Sequence, residues 1–139
     1  MTQPHPPNTT QLPRWADSKT VRAFTRFSRR LARTIGHEID PRILLLLCRM
    51  GHTCAQWGRG LSIDEAAERF CFERPVLEAM RNVGILDQQR GFQQFGTADK
   101  SVMTDPEMVP LFFVSSAWKK LLSPMMQLDC VVRPTVRAN

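Results

Sequence analysis

Val21, Phe24, Phe27, Leu31 and Ile35 recur at three- and four-residue spacing, which places them on one face of an α-helix. Asp17 or Ser18 can cap the start of that helix and Gly36 can end it, so the pattern predicts a helix over residues 18–36. A second helix begins at Asp40, with Pro41 in the first-turn position that proline tolerates. Its residues Ile43, Leu44, Leu46, Leu47 and Met50 make it apolar almost all round, which predicts a central place in the core. Gly51 is expected to end or loosen it, and Gly58-Arg59-Gly60 breaks the chain.

Ser62 and Glu65 have the spacing of a capping box, so a third helix starts at about Ile63. Pro75 fits only the first turn of a helix, so a fourth runs from Glu73 or Arg74 to about Val83, with Gly84 as its C-cap. From Ile85 to about Val102, alternating polar and apolar residues with Gly91 and Gly96 predict a loose hairpin. Asp105 caps a further helix with Pro106 in its first turn, which Pro110 interrupts or resets. Residues 111–122 (LFFVSSAWKKLL) read as a buried helix ended by Pro124. After Gln127, the valines at 131, 132 and 136 around Pro134 fit a short strand, a swapped arm or a disordered tail.

The 139 residues suit one domain. Residues 1–17 are expected to form a disordered arm, because the first 13 hold four of the ten prolines and few groups to bury. Residues 18–126 form the domain, and 127–139 a C-terminal tail. The longest apolar run, Ile43 to Cys48, is far short of the ~20 residues a membrane span needs. The N-terminal segment has neither the basic start nor the apolar stretch of a secretory signal. Cys48, Cys54, Cys71 and Cys130 have no dense, regular spacing and read as reduced thiols of a cytoplasmic protein.

Charge is concentrated in one place. The net +6 sits on residues 18–36, which carry Lys19, Arg22, Arg26, Arg29, Arg30 and Arg33 and no acid. Residues 37–139 balance 12 basic against 12 acidic side chains. The basic residues lie opposite the apolar face of the first helix. The pairs Arg22/Arg26, Arg26/Arg30 and Arg29/Arg33 stand four apart and repel. A polyanion or an acidic partner would relieve that repulsion; an anionic membrane surface or a merely solvated face are the competing readings.

Residues 61–86, LSIDEAAERFCFERPVLEAMRNVGIL, read as two short helices, a tight turn and an extended segment. Ala67 is the small residue at the helix crossing. Ala66, Phe70, Phe72, Leu77 and Met80 form the apolar set between the helices. This order resembles bacterial winged helix-turn-helix transcription regulators of the Rrf2-like and MarR-like groups, over about residues 40–95 when the preceding Leu-rich helix is included. The resemblance implies a mainly α fold with a winged helix-turn-helix core, additional N- and C-terminal helices and a short β-hairpin. It implies a dimer that binds double-stranded DNA. The fourth helix would enter the major groove, with Arg74, Arg81 and Asn82 at base edges and Glu78 able to accept from cytosine. Arg90 on the wing and the Arg22, Arg26, Arg29, Arg30 and Arg33 face would meet phosphates. The chain departs from the pattern at Cys71, where the turn usually has glycine, and at Glu73, where the helix usually starts with Ser or Thr. It also lacks the cysteine spacing that holds an iron–sulfur centre in some Rrf2-like proteins.

The motif itself is acidic. Residues 61–91 hold Arg69, Arg74, Arg81 and Arg90 against Asp64, Glu65, Glu68, Glu73, Glu78 and Asp87. Phosphate affinity must therefore come largely from the first helix. The expectation is a small DNA-binding transcriptional regulator, acting as a homodimer. The alternative is a non-enzymatic adaptor of the same shape whose basic helix docks an acidic protein, as in phage, conjugation or secretion accessory proteins. Cys48, His52 and Cys54 lack the close pair with which structural zinc sites begin and are read as packing residues, so no metal or cofactor is expected. No acid–base pair, nucleophile triad or phosphate loop can be assembled, so no enzyme is expected. Trp57, Phe112, Phe113 and Trp118 are read as core; Phe92 and Phe95, on the predicted hairpin, are the aromatics with a chance of exposure.

Overall fold

Asp17 caps the first helix through a hydrogen bond from the backbone N–H of Lys19 (2.9 Å), and the helix α1 spans Ser18–Ile35. Gly36 ends it at φ 90°, in the left-handed region. This computed structural model describes residues 17–92 and 108–132. Asp40 caps α2 (Pro41–Trp57), with Pro41 in its first turn as expected. The helix does not stop at Gly51. It continues to Trp57 and ends at Gly58 in the left-handed conformation. A methyl group built at Gly51 would lie in ordinary contact with Met126 and Val114, so neither space nor backbone requires glycine here and the helix continues through it.

Ser62 and Glu65 form a reciprocal capping box at the start of α3 (Ile63–Phe70). After a three-residue turn (71–73), α4 (Arg74–Asn82) begins, with Pro75 in its first turn. Cys71 closes α3 at φ 59°, the only non-glycine with positive φ among the described residues. Its N–H donates to Ala67 O and that of Phe72 to Ala66 O. The position where the resembled family places glycine is thus one whose backbone calls for glycine. At the end of α4, Gly84 N–H donates to Arg81 O and Ile85 N–H to Met80 O, with Gly84 at φ 88°. That is the paired closure of a Schellman motif, and it turns the chain directly into a strand.

Strands β1 (Leu86–Phe92) and β2 (Met108–Val114) pair antiparallel, from Leu86 opposite Val114 to Phe92 opposite Met108. This corrects two expectations. The helix expected to run on from Asp105 is strand by Met108, and LFFV (111–114) belongs to β2 rather than to a helix. The reason is tertiary. The aromatic and β-branched run finds a partner in β1 on one edge and in Leu61 on the other. Leu61 and Phe112 exchange two backbone hydrogen bonds of 2.8 Å. Because Phe112 turns its peptide groups toward Leu61, Pro110 two residues away presents its missing N–H to that same side, not to β1. Gly60 permits the approach: a Cβ there would stand 2.7 Å from Phe112 O.

Ser115 starts α5 (Ser116–Leu122) by accepting from Trp118 N–H, while its hydroxyl donates to Gly84 O (2.8 Å). One side chain thus joins the end of α4 to the start of α5. A 3₁₀ turn (Ser123–Met125) follows, and then α6 (Asp129–Val132), a short helix where a strand, swapped arm or disordered tail was expected. Val131 is buried, and Arg49 Nε of α2 donates to Cys130 O (3.2 Å). Helix α2 packs against α1, α5, α6 and β2; α4 packs on α3 and β1. The core gathers Phe24, Leu44, Leu45, Leu47, Met50, Leu61, Phe72, Leu77, Leu86 and Val114, each almost fully buried. The molecule is therefore mainly helical with one small antiparallel hairpin. Residues 1–16 of the expected arm, residues 93–107 with Phe95, Gly96, Asp105 and Pro106, and residues 133–139 lie outside the described residues.

The backbone at Cys71 yields a stability prediction. A non-glycine in the left-handed region costs about 1–2 kcal/mol, part of which glycine returns in unfolded-chain entropy. Cys71→Gly should raise unfolding stability by about 0.5–1 kcal/mol in denaturant titration, and Cys71→Val should lower it. A loss of stability in the glycine variant would mean that the thiol's packing outweighs the backbone cost.

Candidate nucleic-acid interface

The predicted interface residues divide between two places. Arg22, Arg26, Arg29, Arg30 and Arg33 are all exposed on α1, as is Lys19. None of them forms an ion pair with a described residue; Arg30 lies over the Phe27 ring, 6.0 Å from its centre. A shallow groove of about 520 Å³ follows Ser18, Val21, Arg22, Thr25, Arg26 and Arg29. The sequence explains the stripe directly: Phe24, Phe27 and Leu31 are buried against α2, so the positions between them must face out. Ser28 is buried as well and donates to Ile39 O (2.6 Å), which pins the middle of α1 to the connection before α2.

The second place is α4 with the strand after it. Leu77 and Met80 face inward and the remaining α4 residues are exposed. At about 100° per residue, Arg74 and Arg81 share one flank of the outward face. Pro75, Glu78 and Asn82 occupy its middle, and Val76 and Val83 the other flank. Arg81 Nη2 lies 3.4 Å from Asn82 Oδ1, and Arg90 Nη2 lies 3.4 Å from Met108 O across the hairpin. Sequence reasoning found the polar half of this surface. It did not single out Val76 and Val83, which are 38% and 69% exposed. Helices α1 and α4 share no extensive packing: α1 rests on α2, and α4 on α3 and β1.

A third cluster was not visible from spacing alone. Trp57 is 37% exposed at the end of α2, which corrects its reading as a core residue. Phe112 and Trp118 are buried and Phe113 half-buried. The guanidinium groups of Arg59 and Arg69 lie 4.9 and 4.8 Å from the Trp57 ring centre. Arg59 also makes a two-pronged pair with Glu65 (2.8 and 2.9 Å) and donates to Gly60 O. Burial by itself would raise the Glu65 carboxyl. The Arg59 fork and the backbone and hydroxyl of Ser62 outweigh it and hold the carboxyl below its ordinary range. Glu65 thus serves as helix cap and as anchor for the loop before α3.

The cysteines sit where packing suits them. Burial, with the nearby Cys130 thiol adding to it, pushes the Cys48 thiol up to about 12. Burial pushes Cys54 up to about 11 against the opposing pull of Lys119 and Arg59. Both thiols therefore stay protonated at neutral pH, as buried packing side chains do. His52 is half-buried on α2, and His37 is exposed with Nδ1 3.4 Å from Glu38 O. Among the described residues no three His, Cys, Asp or Glu side chains gather into a possible metal site, and no helix is long and apolar enough to cross a membrane. No family model, characterised protein or solved structure matches this chain.

The depressed carboxyl of Glu65 fixes the sign of a pH effect. A group whose folded-state value lies below its unfolded one stabilises the fold above the unfolded value, and that contribution is lost as pH falls through the folded value. Glu65→Gln should therefore cost about 1–2 kcal/mol at neutral pH, and the gap to the parent protein should close as pH falls below about 4. Urea midpoints at pH 7, 5 and 3 measure this; a gap that is constant with pH would assign the loss to packing instead.

Proposed function

We propose that this protein is a small DNA-binding transcriptional regulator with a winged helix-turn-helix core, in which α4 enters the major groove. The observation that carries this reading is the chain order α3, three-residue turn, α4, hairpin, with Leu61 joined to the outer edge of β2. Helix α4 packs mainly on α3 and β1 and leaves Arg74, Glu78, Arg81 and Asn82 exposed, as a helix that reads a groove needs. Arg74 and Arg81 fit guanine edges, Asn82 fits adenine and Glu78 fits the amino group of cytosine. Arg90, on the hairpin, would meet the backbone beside the groove.

Residues 61–91 are acidic by two charges, so they supply little of the affinity for phosphate. In this reading that affinity comes from Arg22, Arg26, Arg29, Arg30 and Arg33, whose charges are unpaired among the described residues. A symmetric pair of copies would present two α4 helices to successive half-sites. The acidity of the motif and the exposed Val76 and Val83 favour a second reading, a non-enzymatic adaptor that binds another protein through its winged-helix-like surface while the basic α1 docks an acidic partner. Salt dependence separates the two on duplex DNA.

Binding should weaken steeply with salt, with log affinity falling by about 0.9 for each phosphate contact per decade of salt. Arg26→Glu with Arg30→Glu should weaken binding to every duplex and flatten that slope by about 2. Arg74→Ala should instead cost about 1–3 kcal/mol on the preferred sequence and little elsewhere. Fluorescence anisotropy on specific and scrambled duplexes over a salt series measures both. No binding at low salt, or a flat response, would remove the regulator reading in favour of the adaptor.

A further inference from the structure

On a helical wheel, one arc of α1 about 100° wide holds Lys19, Arg22, Arg26, Arg29, Arg30 and Arg33 and no other residue. All of these side chains are exposed, α1 contains no acid, and none of the six pairs with an acid among the described residues. Lys19 shares a cleft with Asp17 and Asp129, so the five arginines carry the charge that is free of nearby carboxylates. From Arg22 through Arg26 and then Arg29 or Arg30 to Arg33, the row advances in steps of about 4.5–6 Å over a straight length of about 16 Å. A shallow groove of about 520 Å³ runs beside it, with Ser18 and Thr25 among its lining residues.

We propose that this row is a rail for a single strand of nucleic acid, held through its phosphates and blind to its bases. The rail needs neither α4 nor a duplex, so it goes beyond the regulator reading. The partner follows from charge and shape. The arc offers no apolar side chain, so a protein seated on it would have to desolvate guanidinium groups with no hydrophobic gain. A bilayer is a poor fit as well, because Phe24, Phe27 and Leu31 are buried in the core and cannot enter the lipid as the apolar face of a membrane-surface helix does. A phosphodiester strand needs no such burial. It binds cations at the surface by releasing its own counterions, and each guanidinium fork matches a phosphate. A strand of a duplex winds round the helix axis and leaves a straight row at both ends. A single strand is free to lie along the whole row, whose step is close to the length of one nucleotide repeat. Base stacking needs exposed rings, and Phe24 and Phe27 are 0% and 4% exposed, so α1 grips the backbone alone.

The experiment titrates the full chain into fluorescent oligo(dT), which forms no duplex, over a salt series. One phosphate per arginine of the row predicts a fall in log affinity of about 3.5 per decade of salt. Arg22→Gln with Arg29→Gln should reduce that slope by about 1.4, and the further changes Arg26→Gln and Arg33→Gln should bring the reduction to about 2.8. Lys119→Gln with Lys120→Gln removes two exposed cations of α5 and should leave the slope at the parent value. Neutralising the arginines relieves like-charge repulsion within α1, so the variants should keep their fold, checked by circular dichroism. Oligo(dC) should bind as oligo(dT) does; a strong preference between them overturns the claim that only the backbone is held. No binding of oligo(dT) at low salt, or equal losses in the α1 and α5 variants, overturns the rail. Tighter binding of poly-glutamate or of anionic phospholipid vesicles at equal charge overturns the choice of partner. Duplex binding without oligo(dT) binding overturns the rail and leaves the regulator reading standing. Oligo(dT) binding without duplex binding supports the rail and removes that reading.

Discussion

The burial of α2 is the constraint on which the rest of this structure depends. Residues 44–50 of that helix are all buried, although they go round it nearly twice. A helical segment with no solvent face needs cover on every side, and α1, α5, α6 and β2 supply it around these residues. Arg49 is the exception in composition, a guanidinium within the run, and it is held by hydrogen bonding to the Cys130 carbonyl. A buried charge needs such partners. The residue therefore does more than fill space: it fastens α6 to the central helix and gives the C-terminal segment a fixed seat.

Given that core, the outer surface follows. Helix α1 covers α2 with Phe24, Phe27 and Leu31, which sends its basic positions to solvent as an unbroken stripe. Helix α4 is anchored by two buried residues, Leu77 and Met80, and by the closure at its C-terminal end. Such a helix contributes little to the core and much to the surface. The molecule thus combines a charge-rich helix that is firmly packed with a shorter, projecting helix whose outward face is chemically varied.

The connection between these parts is the edge of β2. Phe112 bonds Leu61, Ser115 bonds Gly84, and Gly60 leaves room for the approach. These few polar contacts set the position of the α3–α4 pair relative to α2. The Arg59–Glu65 fork stiffens the same junction, and Trp57 supports both arginines from the end of α2. A change at this junction would alter the presentation of α4 without touching its exposed residues.

Local chemistry explains which elements were legible in the chain. The starts of α1 to α4 follow from Asp17, Asp40, the Ser62–Glu65 box and Pro75, because capping and proline geometry act within a few residues. The backbone at Cys71 was not readable from local chemistry: the sequence showed only a cysteine where the resembled pattern has glycine, and the structure supplied the left-handed conformation. The fate of LFFVSSAWKKLL was not readable either. Four apolar residues in a row suit a buried helix or a buried strand equally, and the presence of Leu61 and β1 on either side decided for a strand. The exposure of Trp57, the pairing of Arg59 with Glu65 and the seat of α6 on Arg49 also came only with tertiary structure. Each joins residues whose separation has no periodic signature. By itself the sequence determined helix faces, caps and the location of charge. Packing around α2 decided strand against helix and which aromatic side chains reach solvent, because those outcomes depend on neighbours that chain order does not specify.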